Sequence, residues 1–437
     1  MKGLSKQQLD SLSHRLHEDQ QVRTLQGVMA KTEYADLAYL PQGGSRLNGD
    51  FTIEIKTNGI TAQQKSGRCW MFALMNMLRE TAARNLNLKK FELSGNYLAF
   101  YDKLEKCNNF LEMVIANYDK PLNDRMMEYI LNGIGDGGYF DMARDLVKKY
   151  GVVPADVMPE TYQSTHTEKF RRLQNSLLRK DAMLLREALA RGEDVTELKD
   201  NMVAEIYKAQ CIAFGTPVDK FDFAYRDKDN NYHVDHDITP KEFYDRYIGT
   251  DLDEYITITN HPTAGLPLES YYHFHYMGNM ADKDCYALNL SMDDLQQLCL
   301  SQLYDGEAVW FGCDAGAFGD RKMGLWDPDS FVYQGLLGGA DFRMEKGRRL
   351  MYHDSYATHA MILTGVNLDA ENQPERWKIE NSWGKDVGKD GYFVCSQHYF
   401  REYVYEAIIN KKHLNEHQKE LLRKEPFEIK PWESDSL

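Results

Sequence analysis

Cys69 follows Gln63-Gln64-Lys65-Ser66-Gly67-Arg68 and opens the run CWMFALMNMLRETAARNLNL, apolar nearly all the way round for two turns before charges appear. Such a run predicts a helix whose first half is buried in a domain centre. A thiol at its N-terminus meets the positive end of the helix dipole, and Arg68 adds positive charge. The thiol pKa is therefore expected to fall and the thiolate to become available. A thiolate nucleophile needs a histidine to share its proton and later protonate a leaving amine, and an acceptor to orient that imidazole. It also needs donors aimed at a developing oxyanion. Thirteen histidines compete for the first role. His359 stands in ATHAMILTG, a small-residue approach to a strand, and Asn381 follows in WKIENSWG. Two adjacent strands would set Asn381 beside His359, with Trp383 shielding their hydrogen bond from water.

The elements that must hold these groups read as helices first and strands second. A second helix is expected over residues 96–117. In GDGGYFDMARDLVKKYGVVP a glycine turn leads into an amphipathic helix (Met142, Leu146, Val147, Tyr150) that stops at Gly151. Residues 162–213 form a charge-rich helical segment, placed on a domain exterior. Phe221, Phe223 and Tyr225 alternate before the turn DKDNN, and Tyr232 and Val234 after it, as in a hairpin. Thr239-Pro240-Lys241-Glu242 carries a capping box with proline at the first helical position. AVWFGCD, HAMILTGV, RWKIENSW and GYFVC are short β-type runs, the pattern of a twisted antiparallel sheet or partial barrel. The fold class is α+β.

The 437 residues are 43% hydrophobic and 27% charged, an ordinary folded composition, with no run long enough for a membrane span. The opening MKGLSKQQLDSLSHRL lacks an apolar signal core, so secretion by that route is not expected. A net charge of −15 argues against nucleic acid or anionic lipid as partners. Seven scattered cysteines form no disulfide ladder, and the expected setting is the reducing cytoplasm.

Gln63 ahead of Cys69-Trp70, His359-Ala360 on a strand and Asn381-Ser382-Trp383-Gly384 together resemble the papain-type cysteine peptidases. QKSGRCWMFA, LSGNYLAFYDKLEKC, GDGGYFDMARDLVKKYGVVP, VWFGCDAG and THAM are more similar still to their bleomycin hydrolase and aminopeptidase C branch. The long Cys69-to-His359 interval fits the insertions that this branch carries. The resemblance implies a papain-like fold, a helical subdomain plus an antiparallel β-barrel-like one, with a mixed, largely helical insertion. Its parts would be an N-terminal segment 1–48, a helical subdomain 49–155, an insertion 156–275, a β-rich subdomain 276–424 and a C-terminal arm 425–437.

It also implies roles. Cys69 would be the nucleophile, His359 the general acid–base and Asn381 the group that orients the imidazole. Gln63 and the Cys69 backbone N–H would form the oxyanion hole, and Gly137 and Gly138 would line the substrate cleft, where a missing side chain lets substrate approach. In that branch the C-terminal arm lies in the cleft, and its carboxylate, here of Leu437, pairs with the free α-amine of a peptide substrate. The tail KPWESDSL resembles the family's, although the usual Gly/Ala-rich ending is missing. The expected activity is removal of N-terminal residues through a thioester, in a homohexamer and with no cofactor. A papain-like endopeptidase or acyl transferase, and an inactive oligomeric scaffold, remain as alternatives.

Other residues invite chemistry less strongly. His233-Val234-Asp235-His236 and His273-Phe274-His275 suggest a metal, yet His233 and His236 would point to opposite faces of a hairpin and no cysteine sits at finger spacing. No metal site is expected. Cys313 in WFGCD reads as a buried strand cysteine, because a second active thiol would need its own base.

Overall fold

The computed structural model describes residues 1–16 and 19–433. Four helices, Lys6–Leu16, Gln20–Met29, Tyr34–Ala38 and Pro41–Leu47, occupy the N-terminal stretch in which the sequence suggests one polar helix and irregular chain. Local end signals start two of them: Asp19 accepts from the N–H groups of Gln21 and Val22, and Pro41 stands in the first turn of its helix. Little of this segment is buried, so apolar periodicity could not reveal it.

The Cys69–Asn85 helix buries Trp70 through Asn76 without a break, as its apolar start requires. The Gly95–Ala116 and Phe140–Tyr150 helices pack beside it, the second ending at Gly151 with φ +72°. A methyl group on Gly151 would lie 2.3 Å from the Pro240 carbonyl carbon, so both backbone conformation and close approach demand glycine. The charge-rich helices Thr167–Ala190 and Thr196–Phe214 lie against Gly95–Ala116 and share with it an apolar cluster that includes Phe110, Leu178, Leu185 and Ile206.

The strands in chain order are β1 (Ile53–Glu54), β2 (Phe221–Arg226), β3 (Tyr232–Ile238), β4 (Tyr255–Thr259), β5 (Ser270–Phe274), β6 (Cys285–Asn289) and β7 (Val309–Cys313). They continue with β8 (Gly319–Asp320), β9 (Leu325–Trp326), β10 (His359–Leu368), β11 (Pro374–Glu380), β12 (Tyr392–Ser396), β13 (Val404–Asn410) and β14 (Phe427–Ile429). β2 and β3 form the expected hairpin, and Thr239 and Glu242 the expected capping box. The others make one sheet in the order β14-β5-β6-β4-β13-β7-β10-β11-β12-β9-β8, with β1 added on β10. Most pairs are antiparallel; β14 with β5, β4 with β6 and β12 with β9 are parallel. This is the expected α+β architecture. The Cys69–Asn85 helix lies across β7 and β10, and Trp310 on β7 donates from Nε1 to the Trp70 carbonyl at 3.0 Å.

Candidate active site

A cleft of about 500 Å³ runs between the helical side and the sheet, lined by Cys69, Gly137, Gly138, His359, Glu406 and Pro431 among others. Cys69 is the first residue of its helix, so its N–H has no intrahelical acceptor and remains available at the cleft. His359 is the first residue of β10, and Asn381 follows the last residue of β11. The antiparallel register of these strands pairs Ile362 with Glu380 and so brings both residues to one end. His359 Nε2 and Asn381 Oδ1 lie 2.9 Å apart. An amide oxygen only accepts, so Nε2 carries the proton and Nδ1 is the basic nitrogen of the neutral ring. Trp383 stacks on the imidazole at a centroid distance of 4.7 Å and covers the bond as expected. Arg321 lies in turn over the indole, at 4.4 Å.

The expected acidification of the thiol does not occur. Burial pushes the Cys69 thiol above its ordinary value, outweighing the backbone N–H groups around it, and Glu406 adds to the rise. Arg68 does not offset this, because its guanidinium turns away to Glu160, with Nη1 3.0 Å from a carboxylate oxygen, and to Ser66. Burial also holds His359 down, to about 4. Each charge is disfavoured alone.

Gln63 is buried and lies outside the cleft lining. Its Oε1 accepts from Ser382 Oγ at 2.7 Å and its Nε2 donates to the Ser66 carbonyl at 2.6 Å. That fixes the amide orientation and leaves one Nε2 hydrogen unassigned. The Asp136-Gly137-Gly138 loop is clamped from behind: Lys103 pairs with Asp136, Trp70 Nε1 donates to the Asp136 carbonyl at 3.0 Å, and Lys106 Nζ to that of Gly137 at 2.7 Å. A methyl group on Gly138 would sit 2.7 Å from the Trp70 ring, so packing on Trp70 requires glycine here. Gly137 has open space where a side chain would point. Cys313 is fully buried on β7, directly across from His359 in register, and burial raises its thiol. Leu437 lies outside the described residues.

Glu406 is the cleft residue that sequence reasoning missed. It stands half-buried on β13 in the apolar run Val404-Tyr405-Glu406-Ala407-Ile408-Ile409, and burial pushes its carboxyl up to about 8. A single acid inside such a run was the available signal.

The model of the Peptidase C1-like family matches residues 3–436. The chain belongs to the Peptidase C1-like family. Among curated members of similar sequence, aminopeptidase C of Listeria innocua is 40% identical over 98% of this chain and 97% of its own. Aminopeptidase G of Lactobacillus delbrueckii is 38% identical over 99% of each chain. The crystal structure of PepW from Lactobacillus rhamnosis superposes with a TM-score of 0.95 at 38% identity, covering 99% of this chain and 98% of PepW.

Proposed function

We propose that the chain removes N-terminal residues from peptides through a cysteine thioester. Its class, a cysteine-type aminopeptidase, is that of the family and of its aminopeptidase C relatives; the assignment of steps to residues is our reading. One observation carries it: Cys69 and His359 open onto a single cleft, while Asn381 holds the imidazole through its far nitrogen.

The Cys69 proton passes to His359 Nδ1, and the thiolate sulfur attacks the scissile carbonyl carbon. The oxyanion is met by the Cys69 N–H and the remaining Nε2 hydrogen of Gln63. Nδ1–H then protonates the amine nitrogen as the C–N bond breaks, leaving a thioester. Water, deprotonated by Nδ1, attacks that thioester and releases the acid as the thiol recovers its proton. Gly137 and Gly138 flank the substrate backbone. The arm follows Pro431, which lines the cleft, and the six residues from Trp432 to Leu437 can span at most about 20 Å. The Leu437 carboxylate would then pair with the substrate α-amine.

The test compares aminoacyl-nitroanilides carrying free and acetylated amines. The free-amine substrates are hydrolysed, the acetylated ones are not, and Cys69→Ala abolishes turnover. Equal cleavage of both would favour an endopeptidase, and undiminished turnover by Cys69→Ala would refute the mechanism. The finer expectations, a hexamer in the cytoplasm, rest on the resemblance and on seven cysteines of which none is disulfide-bonded. Sedimentation and cell fractionation test them.

A further inference from the structure

His273 and His275 are two apart along β5 and its continuation, so their side chains share one face of the sheet. β14 runs parallel beside β5 and sets Glu428 directly across from His273; β6, on the other side, sets Tyr286 there. Tyr286 stacks on the His273 ring at 4.5 Å and 5°, which fixes the plane of that imidazole. Glu428 Oε2 lies 2.9 Å from His273 Nδ1 and also contacts His275 Nε2. Among the described residues, His273, His275 and Glu428 form a group whose donor atoms all lie within 4.8 Å of one another.

We propose that His273 Nδ1, His275 Nε2 and Glu428 Oε2 bind a divalent transition-metal ion of the zinc type. Zinc holds nitrogen and oxygen donors at about 2.0–2.2 Å, which puts tetrahedral donors about 3.3 Å apart, inside the 4.8 Å within which these donor atoms are gathered. Asp284 completes the arrangement from behind: its Oδ2 lies 2.9 Å from His273 Nε2. A carboxylate there keeps the proton on Nε2 and turns the Nδ1 lone pair toward the ion. Two imidazoles and one carboxylate suit zinc, copper or nickel; calcium and magnesium take oxygen donors. With His275 39% and Glu428 54% exposed, an ion can enter and water can fill its fourth position.

The expectation of no metal rests on His233 and His236 facing apart. His233 and His236 do take separate carboxylates, Asp227 and Asp222. His273 and His275 converge because a distant strand delivers Glu428 between them. The ion would clamp β14, which leads directly to Pro431 at the cleft, onto the segment whose next residues, Tyr276 to Gly278, wall the same cleft. It would be structural, and Cys69 is not among its ligands.

The test uses full-length Cys69→Ser protein, which removes the cleft thiol as a competing ligand, and it reads metal binding rather than turnover, so this inference and the peptidase reading fail separately. Chelator-stripped protein is titrated with Zn²⁺ by calorimetry and with Co²⁺ by visible absorption. The expected results are one ion per chain, cobalt bands of a four-coordinate nitrogen–oxygen site without thiolate charge transfer, and a zinc-dependent rise in Tm. Adding His275→Gln or Glu428→Gln should weaken binding about tenfold or more and cancel the Tm rise. Unchanged binding in both variants, a thiolate charge-transfer band, or no saturation below millimolar zinc overturns the proposal. Should either variant fail to fold, the cobalt spectrum of the Cys69→Ser protein decides.

Discussion

His359 and Asn381 are joined through Nε2 and Oδ1 at 2.9 Å, under the ring of Trp383. This bond favours the imidazolium and partly offsets the burial that holds His359 at about 4. In the proposed mechanism, protonation of Nδ1 as pH falls through that value removes the base, so kcat/KM should show an acid limb near it. Asn381→Ala removes a contribution that raises the pKa, and the limb should move to still lower pH. Loss of ring orientation should also lower the plateau about ten- to a hundredfold. Steady-state rates between pH 3 and pH 8 check both effects, and a limb that moves upward would contradict this account.

Glu406 owes its place to Gly312. A methyl group there would lie 2.4 Å from Glu406 Oε1, so only glycine on β7 leaves room for the carboxyl on β13. The folded pKa of about 8 lies above the ordinary carboxylate value, so the folded state holds this proton more tightly than the unfolded chain. Its contribution to stability is complete below about pH 4.5 and is lost as pH rises through 8. Glu406→Gln keeps the shape without the ionisation. The variant should therefore gain stability over the parent as pH rises from 5 to 9, by about 2 kcal/mol after allowing for water on the cleft side. Thermal melts across that range measure the gap.

Arg79 ties the Cys69–Asn85 helix to the strand that leads into Asn381. Its Nη2 lies 2.8 Å from Glu380 on β11 and 2.8 Å from Glu80, and the Glu380 side chain is fully buried. Removing the cation leaves that carboxylate without its partner, which costs about 3–5 kcal/mol for a buried pair. Arg79→Met should lower the midpoint of urea unfolding by that amount. Replacing both residues, as in Arg79→Met with Glu380→Gln, should recover much of it. A double variant no more stable than the single one would mean that the ion pair is not what holds the two elements together.

The helix at Cys69, the strand that begins at His359 and the strand that leads into Asn381 were legible because each rests on local signals, an apolar run or a short β-type run. What was not legible depends on partners far along the chain. Arg68 reads as a neighbour of the thiol until Glu160, 92 residues away, claims its guanidinium. The thiol's rise follows from enclosure, which no spacing records. Glu406 gains its meaning from β7, and Glu428 from the parallel pairing of β14 with β5. The N-terminal helices escaped because they bury little, so no apolar face marks them in the sequence.

Lys430 and Glu433 close a turn, with the Lys430 N–H donating to Glu433 Oε2 at 3.0 Å, while Trp432 packs against the cluster around Phe110 and Leu178. Pro431 is thereby fixed at the cleft, and a chain truncated after Glu433 keeps that anchor. Deleting residues 434–437 should therefore test the terminal carboxylate without releasing the root of the arm. A charge-assisted contact to an α-amine is worth about 1.5–3 kcal/mol, so KM for free-amine peptides should rise about ten- to a hundredfold. Acetylated peptides, no longer excluded by a carboxylate facing their blocked end, should become substrates. If the truncated enzyme still ignores acetylated peptides and cleaves free-amine ones unchanged, exclusion is built into the cleft walls, and the arm beyond Glu433 has no part in choosing the substrate.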